Sequence, residues 1–175
     1  MSLVSIFKRN GPNGLGFSST AEDVTEGLEL IGKTVLITGV NSGLGLETAR
    51  VLSSKGATVV GLARTLNKAE SISPILNNSY FPMACELSEP RSVLDCVEIL
   101  KNSKVLLDAI ICNAGIMALP KLQQKYGVEL QFLTNHIGHF MLVEGLIDSL
   151  NEFGRITIVS SLAHKMFSYR DGIQF

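Results

Sequence analysis

The sequence predicts an α/β protein built on a parallel sheet with helices over both faces. Two observations carry this. Short β-branched apolar runs alternate with segments of helical periodicity, the pattern of repeated βαβ units. The first unit also contains Thr38-Gly39-Val40-Asn41-Ser42-Gly43-Leu44-Gly45, a glycine-rich turn set directly after a strand and directly before a helix.

Taken in order, residues 1–19 are rich in Gly, Ser, Asn and Pro and are expected to form a flexible arm ahead of one domain over 20–175. Thr20 with Asp23 three positions on reads as a helix start running to about residue 26. Residues 33–38 are β-branched and uncharged past Lys33, a buried first strand. A helix is expected over 44–53, a second strand over 58–63, and a helix over 67–75 ended near Ser73-Pro74. Residues 80–84 form the third strand. Residues 89–102 read as a helix with Pro90 in its first turn and Val93, Leu94, Val97 and Leu100 on one face. Residues 105–112 are the fourth strand, 128–150 one long helix with Met141, Leu142, Leu146 and Leu150 as packing residues, and 155–159 the fifth strand. Together these give a Rossmann-type, doubly wound parallel sheet with five strands present.

Composition narrows the function class. The 175 residues suffice for one domain and one sizeable core. A net charge of −1 gives no reason to expect a nucleic-acid partner. Hydrophobic content is 46 %, without an apolar run long enough to span a membrane. Cys85, Cys96 and Cys112 lack metal-ligand spacing and read as buried free thiols in a reducing compartment. Lys8 and Arg9 precede no apolar stretch, so no secretory signal is read and a cytoplasmic location is expected. His136, His139 and His164 do not form a metal set. The first two are expected on a helix surface or in a subunit contact.

The glycine turn carries the chemistry. Gly39, Gly43 and Gly45 fall where a backbone must turn tightly, approach a pyrophosphate, and let helix and strand pack closely. The turn needs its backbone close to phosphate, where a Cβ at Gly43 or Gly45 is expected to intrude. The following helix offers unpaired N–H groups and a positive dipole end to phosphates. Further on, Asn113-Ala114-Gly115 ends the fourth strand with small residues that let backbone approach a ligand. Glu86 and Leu87 follow the third strand, with an acid that could accept from an adenine amine. Asn135 interrupts an otherwise apolar helix face, and Ser160 and Ser161 put hydroxyls at the carboxyl end of strand five. In open α/β sheets that edge binds ligands. Taken alone, Asn135 would be a satisfied polar residue in its own helix, and the two serines would satisfy backbone at a strand end.

In these segments the chain resembles the short-chain dehydrogenase/reductase family, and within it the branch of retinol dehydrogenases and WW-domain oxidoreductases. The resemblance covers about 20–175. It lies in Thr38–Gly45, Asn113-Ala114-Gly115, Asn135-His136-Ile137-Gly138-His139-Phe140 and Ser160-Ser161-Leu162-Ala163-His164. Glu86 stands where the family usually has Asp, and Cys112 where it often has Asn. The resemblance implies hydride transfer between NAD(P) and a small alcohol or carbonyl substrate. The cofactor would lie against Thr38, Gly39, Asn41, Ser42, Gly43, Leu44, Gly45, Arg64, Glu86, Leu87, Asn113, Ala114 and Gly115. By the same resemblance Asn135 would support a proton relay, and Ser161, ahead of Ser160, would orient the substrate oxygen. The family's Tyr-x-x-x-Lys pair is not found: Tyr169 follows Ser161, and four residues on stands Ile173. The sequence thus reads as an oxidoreductase cut off after strand five, with the family's last two strands missing. The alternatives are an inactive dinucleotide-binding or regulatory protein, and an interaction protein that completes its sheet with another polypeptide; a homo-oligomer is also open. Arg64, with no acid at the end of strand two, could take a 2′-phosphate and favours NADP, with NAD as the alternative.

Overall fold

The computed structural model describes residues 10–16, 18–76 and 79–161. Residues 1–9, the Leu162-Ala163-His164 end of the last motif, and Tyr169 and Ile173 lie outside the described residues. All five long strands run parallel in the order β3-β2-β1-β4-β7. They are β1 (Thr34–Thr38), β2 (Thr58–Ala63), β3 (Tyr80–Ala84), β4 (Leu107–Cys112) and β7 (Leu150–Ile158). The crossovers are α2 (Gly43–Ser54), α3 (Leu66–Glu70), α4 (Pro90–Asn102) and a composite helix before β7. The chain winds outward through β2 and β3, then returns past β1 to β4. That reversal opens a crevice at the carboxyl ends of β1 and β4.

Strand alternation builds two cores. Val35 and Ile37 of β1 with Val59 of β2 pack beneath α2, against Ala49 and Val40. Leu36 with Val60 and Leu62 faces the other way, against Val93, Cys96 and Val97 of α4 and Leu142 and Leu146 of α6 (Gly138–Leu146). A sheet covered on both faces explains why its strands read as continuous apolar runs. On α4 the buried stripe is Val93, Cys96, Val97 and Leu100. Leu94, expected on it, is 51 % exposed; the 3.6-residue repeat places it about 100° from Val93.

The sheet is tied at its amino end by Asp108 of β4. Its carboxylate accepts from Thr34 N–H (2.8 Å), Lys33 Nζ (3.0 Å) and Asn151 Nδ2 (3.0 Å), joining three strands. Burial opposes the charge, but these bonds outweigh it and hold the carboxyl below its ordinary range. A short helix α1 (Ala21–Val24) begins at Thr20 with a reciprocal capping box to Asp23. Arg50 of α2 pairs with Glu47 on its own helix and with Glu22, holding α1 against the domain.

Several boundaries differ from the sequence reading. The segment over 67–75 is α3 followed by a separate 3₁₀ turn, Ser73–Ile75, because Pro74 cannot continue the α-helical ladder. The expected long helix over 128–150 divides into several elements. Residues Gln124–Lys125 (β5) and Val128–Glu129 (β6) form a small hairpin whose turn, Tyr126-Gly127, has φ of 54° and 76°. Helix α5 (Leu130–Phe132) follows, then a π-helical turn (Leu133–Ile137), α6, and a 3₁₀ turn (Ile147–Ser149). Strand β7 begins at Leu150, five residues before the expected Arg155, with a pairing irregularity opposite Leu107–Ala109. Phe153 (85 % exposed) and Ile158 (69 %) lie on this strand, one of the two edges of the sheet among the described residues. No helix among the described residues is long and apolar enough to cross a membrane.

Packing decides the sign of one substitution. Gly45 lies inside α2, where helix propensity favours Ala over Gly by about 1 kcal/mol. A Cβ there would overlap the Gly39 carbonyl oxygen and come within 2.5 Å of Asn113 Nδ2. Gly45→Ala is therefore expected to destabilise the fold by about 1–3 kcal/mol, read as a lowered denaturant midpoint. A stabilised variant would show that the turn has room to move.

Candidate functional site

A cleft of about 440 Å³ opens at the carboxyl ends of β1 to β4. Thr38 ends β1 and Gly39 follows it, Ala63 ends β2 and Arg64 follows it, Cys85, Glu86, Leu87 and Ser88 lie beyond β3, and Asn113, Ala114 and Gly115 lie beyond β4. Asn41, Ser42 and Leu44 of the glycine turn close one side, and Leu130 and Thr134 close another. Eleven of the thirteen residues named above for a cofactor thus line one cleft; Gly43 and Gly45 do not line it.

The three glycines act differently from one another. Gly39 has φ 72°, and a Cβ on it would come 2.9 Å from Ala114 Cα, so the ends of β1 and β4 meet backbone to backbone. Gly45 lets α2 pack onto that same turn. Gly43 differs from both: a Cβ there meets no protein atom within 4 Å, and what the fold itself requires of it is the left-handed φ of 58° at the helix entry. Ser42 occupies the N-cap position of α2, yet its hydroxyl makes no capping bond. The first-turn N–H groups at the cleft edge are left without a side-chain cap.

Thr38 joins the walls. Its Oγ1 accepts from Asn113 N–H and Ala114 N–H, each at 2.9 Å, and lies 2.9 Å from His139 Nε2. The Asn113 side chain returns a bond from Nδ2 to the Thr38 carbonyl at 3.0 Å. His139 is 6 % exposed, which overturns its expected place on a helix surface or in a subunit contact. The widened π-helical turn ahead of it and Gly138, which abuts Leu87, bring this face of the helix inward. Burial holds the His139 imidazole below its ordinary pKa of 6.5. His136 stays exposed and stacks on Phe132 with ring centroids 5.1 Å apart.

Asn135 lies in the π-helical turn, an element recurrent at functional sites. Its Oδ1 accepts from Ile116 N–H and its Nδ2 donates to the Ile116 carbonyl, both at 2.8 Å. The amide thus clamps the loop after β4 and is not spent inside its own helix. A second cleft of about 210 Å³ brings Asn135, His139, Ser160 and Ser161 together. It shares Asn113, Ala114, Gly115 and Ile116 with the larger cleft. Glu86 Oε1 accepts from Ser88 N–H (3.2 Å) and Ser88 Oγ (3.0 Å), which shapes the β3–α4 turn. Arg64 is exposed at the rim, with no ion pair among the described residues. The three cysteines are free and buried. Burial pushes the Cys112 thiol up to about 11, and a hydrogen bond with Cys96, with burial, raises Cys85. Sequence reasoning missed Thr134, Leu130 and the His139 contact. The four-residue spacing put Asn135 and His139 on one helix face, but nothing in the sequence pointed to Thr38 as the partner of His139.

Known proteins are similar to this chain in sequence and fold. The short chain dehydrogenase family model matches residues 33–170. The chain is 39 % identical over 178 residues to short-chain dehydrogenase TIC 32 B, chloroplastic, of Brassica napus, covering 94 % of this chain and 55 % of that protein. It is 37 % identical to the human WW domain-containing oxidoreductase, covering 89 % and 39 %. Against human retinol dehydrogenase 13 the identity is 34 %, covering 76 % and 42 %. The chain thus spans about half or less of the length of these relatives. Among solved structures, an uncharacterized protein of Mycobacterium paratuberculosis superposes with a TM-score of 0.71 at 36 % identity, covering 78 % of this chain and 49 % of that one. With the sheet order, the glycine turn and the motifs at the strand ends in agreement, the chain belongs to the short-chain dehydrogenase/reductase family, in the branch of the WW-domain oxidoreductases and retinol dehydrogenases.

Proposed function

We propose that this chain is the dinucleotide-binding part of an NAD(P)-dependent oxidoreductase acting on a small alcohol or carbonyl compound. The observation that carries the reading is the close approach of Gly39 and Ala114, held by the Thr38 hydroxyl, at the floor of a cleft on the carboxyl edge of the sheet. The residues fit the cofactor. Asn41, Ser42 and Leu44, with the uncapped first turn of α2, suit a pyrophosphate. Gly43, by its left-handed φ, and Gly45, by its close packing on Gly39, shape the turn. The wall formed by Glu86 and Leu87 suits the adenine, and the small Asn113-Ala114-Gly115 suits the ribose and nicotinamide side. When bound, the nicotinamide supplies or accepts a hydride at the substrate carbon.

The protein's part is positioning. Asn135 fixes Ile116, which borders both clefts, so the two compartments keep one geometry. On this reading Asn135 supports proton transfer by holding position, since its side-chain amide is already bonded at both ends. Ser161, in the smaller cleft, orients the substrate oxygen. The proton exchanged with that oxygen needs an acid–base group, and no Tyr-x-x-x-Lys pair follows Ser161 in this sequence. Cofactor choice rests on Arg64: a rim guanidinium with no ion pair among the described residues, and no acid at the end of β2, favours the 2′-phosphate of NADP over the bare ribose of NAD.

Two measurements test this. Titration of reduced-cofactor fluorescence should show that Arg64→Ala weakens NADPH about tenfold or more, the loss of a charge-assisted contact of ~1.5–3 kcal/mol, while NADH changes less than about twofold. Equal losses would take Arg64 off the 2′-phosphate. The 175-residue polypeptide on its own should bind nucleotide yet turn over no simple alcohol or ketone, as followed by cofactor absorbance. Positioned acid–base catalysis typically supplies ~10²–10⁴ in rate. Ordinary enzymatic rates would mean that another group of this chain handles the proton.

A further inference from the structure

His139 sits at the end of a hydrogen-bond chain that can be satisfied in one way only. Its Nδ1 stands 2.8 Å from the Asn135 carbonyl oxygen, which can only accept, so the ring proton belongs on Nδ1. Nε2 is then a lone pair, 2.9 Å from Thr38 Oγ1. A hydroxyl has one proton and two lone pairs. Asn113 N–H and Ala114 N–H take the two lone pairs of Thr38, each at 2.9 Å. The hydroxyl proton goes to His139, because the Ile111 carbonyl, at 3.5 Å, is at the limit of a hydrogen bond. The opposite tautomer would set an Nε2–H against a fully engaged oxygen and a bare Nδ1 against a carbonyl.

We propose that His139 is a positioning residue for the cofactor cleft. By accepting the Thr38 proton, its Nδ1–H tautomer keeps both Thr38 lone pairs on the Asn113–Ala114 backbone. Through Nδ1 it ties that backbone to the turn carrying Asn135. It acts through Thr38 and rests on the dinucleotide reading above. A histidine that only filled space would need shape alone; this one needs a lone pair at Nε2, and the two roles separate by experiment.

Nitrogen-15 NMR of the imidazole in the unmodified 175-residue chain should show one neutral tautomer, protonated at Nδ1, above pH 7. An Nε2–H tautomer, or averaging between the two, overturns the proposal, and this measurement needs no variant to fold. In His139→Leu, hydrogen exchange at the Asn113 and Ala114 amides should accelerate tenfold or more while the Leu36 and Val60 amides keep their protection. His139→Gln, which returns an acceptor near Nε2, should bring exchange back to within about threefold of the unmodified chain. Unchanged exchange in His139→Leu, or a glutamine variant no better than leucine, overturns it. NADPH affinity should follow the same order, with His139→Leu weakened about tenfold. Should the unmodified chain bind no nucleotide, the dinucleotide reading fails by itself, and tautomer and exchange still decide the role of His139.

Discussion

The Thr38 hydroxyl is the constraint on which the rest of the site depends. It is almost wholly buried, and three groups from two other elements converge on one oxygen. A buried donor or acceptor left without a partner costs about 1–3 kcal/mol. Losing this hydroxyl would orphan two backbone N–H groups and a ring nitrogen together. A methyl group of equal size could fill the space and satisfy none of them. The end of β1, the end of β4 and the composite helix therefore hold their places jointly.

Close backbone approach follows from that convergence. With Asn113 and Ala114 pulled onto Thr38, no room remains for a side chain on Gly39, and α2 can settle on the turn only if Gly45 also lacks one. The same economy recurs across the other core. Gly138 abuts Leu87, and a Cβ on Gly145 would fall 2.7 Å from Val97 of α4, so α6 lies close against α4 and the turn beyond β3. Gly43 belongs to another class: it answers to backbone angle and leaves the space around it open.

The composite helix shows how local irregularity serves the site. A regular α-helix from Leu130 to Leu146 would keep Asn135 and His139 in simple succession along one face. The π-helical turn widens the ladder there. The Asn135 carbonyl is met by the His139 ring while its side chain reaches across to Ile116. Upstream, Glu89 receives Lys125 and the Tyr126 hydroxyl, fastening the β5–β6 hairpin to the start of α4. The loop carrying Ile116 is thereby held at both ends, between β4 and a hairpin that is itself anchored.

The sequence by itself determined the class of fold, the extents of β2 and β3, the capped start at Thr20, and the segments that meet at the carboxyl edge. Those features rest on local chemistry: β-branched runs, a hydroxyl three residues before an acid, glycines between strand and helix. Only the tertiary structure decided the rest. Strand β7 starts at Leu150 because pairing with β4 outweighs the helical pattern before it. Leu94 is exposed because the partners of α4 select a narrower stripe. Gly43 and Gly45 look alike in the sequence and part company only when neighbours distant in the chain take up the space. His139 reads as one more surface histidine until Thr38, 101 residues away, is brought to 2.9 Å from its ring. Hydrogen-bond partners across such separations leave no trace in spacing or composition, since they exist only once the sheet has formed.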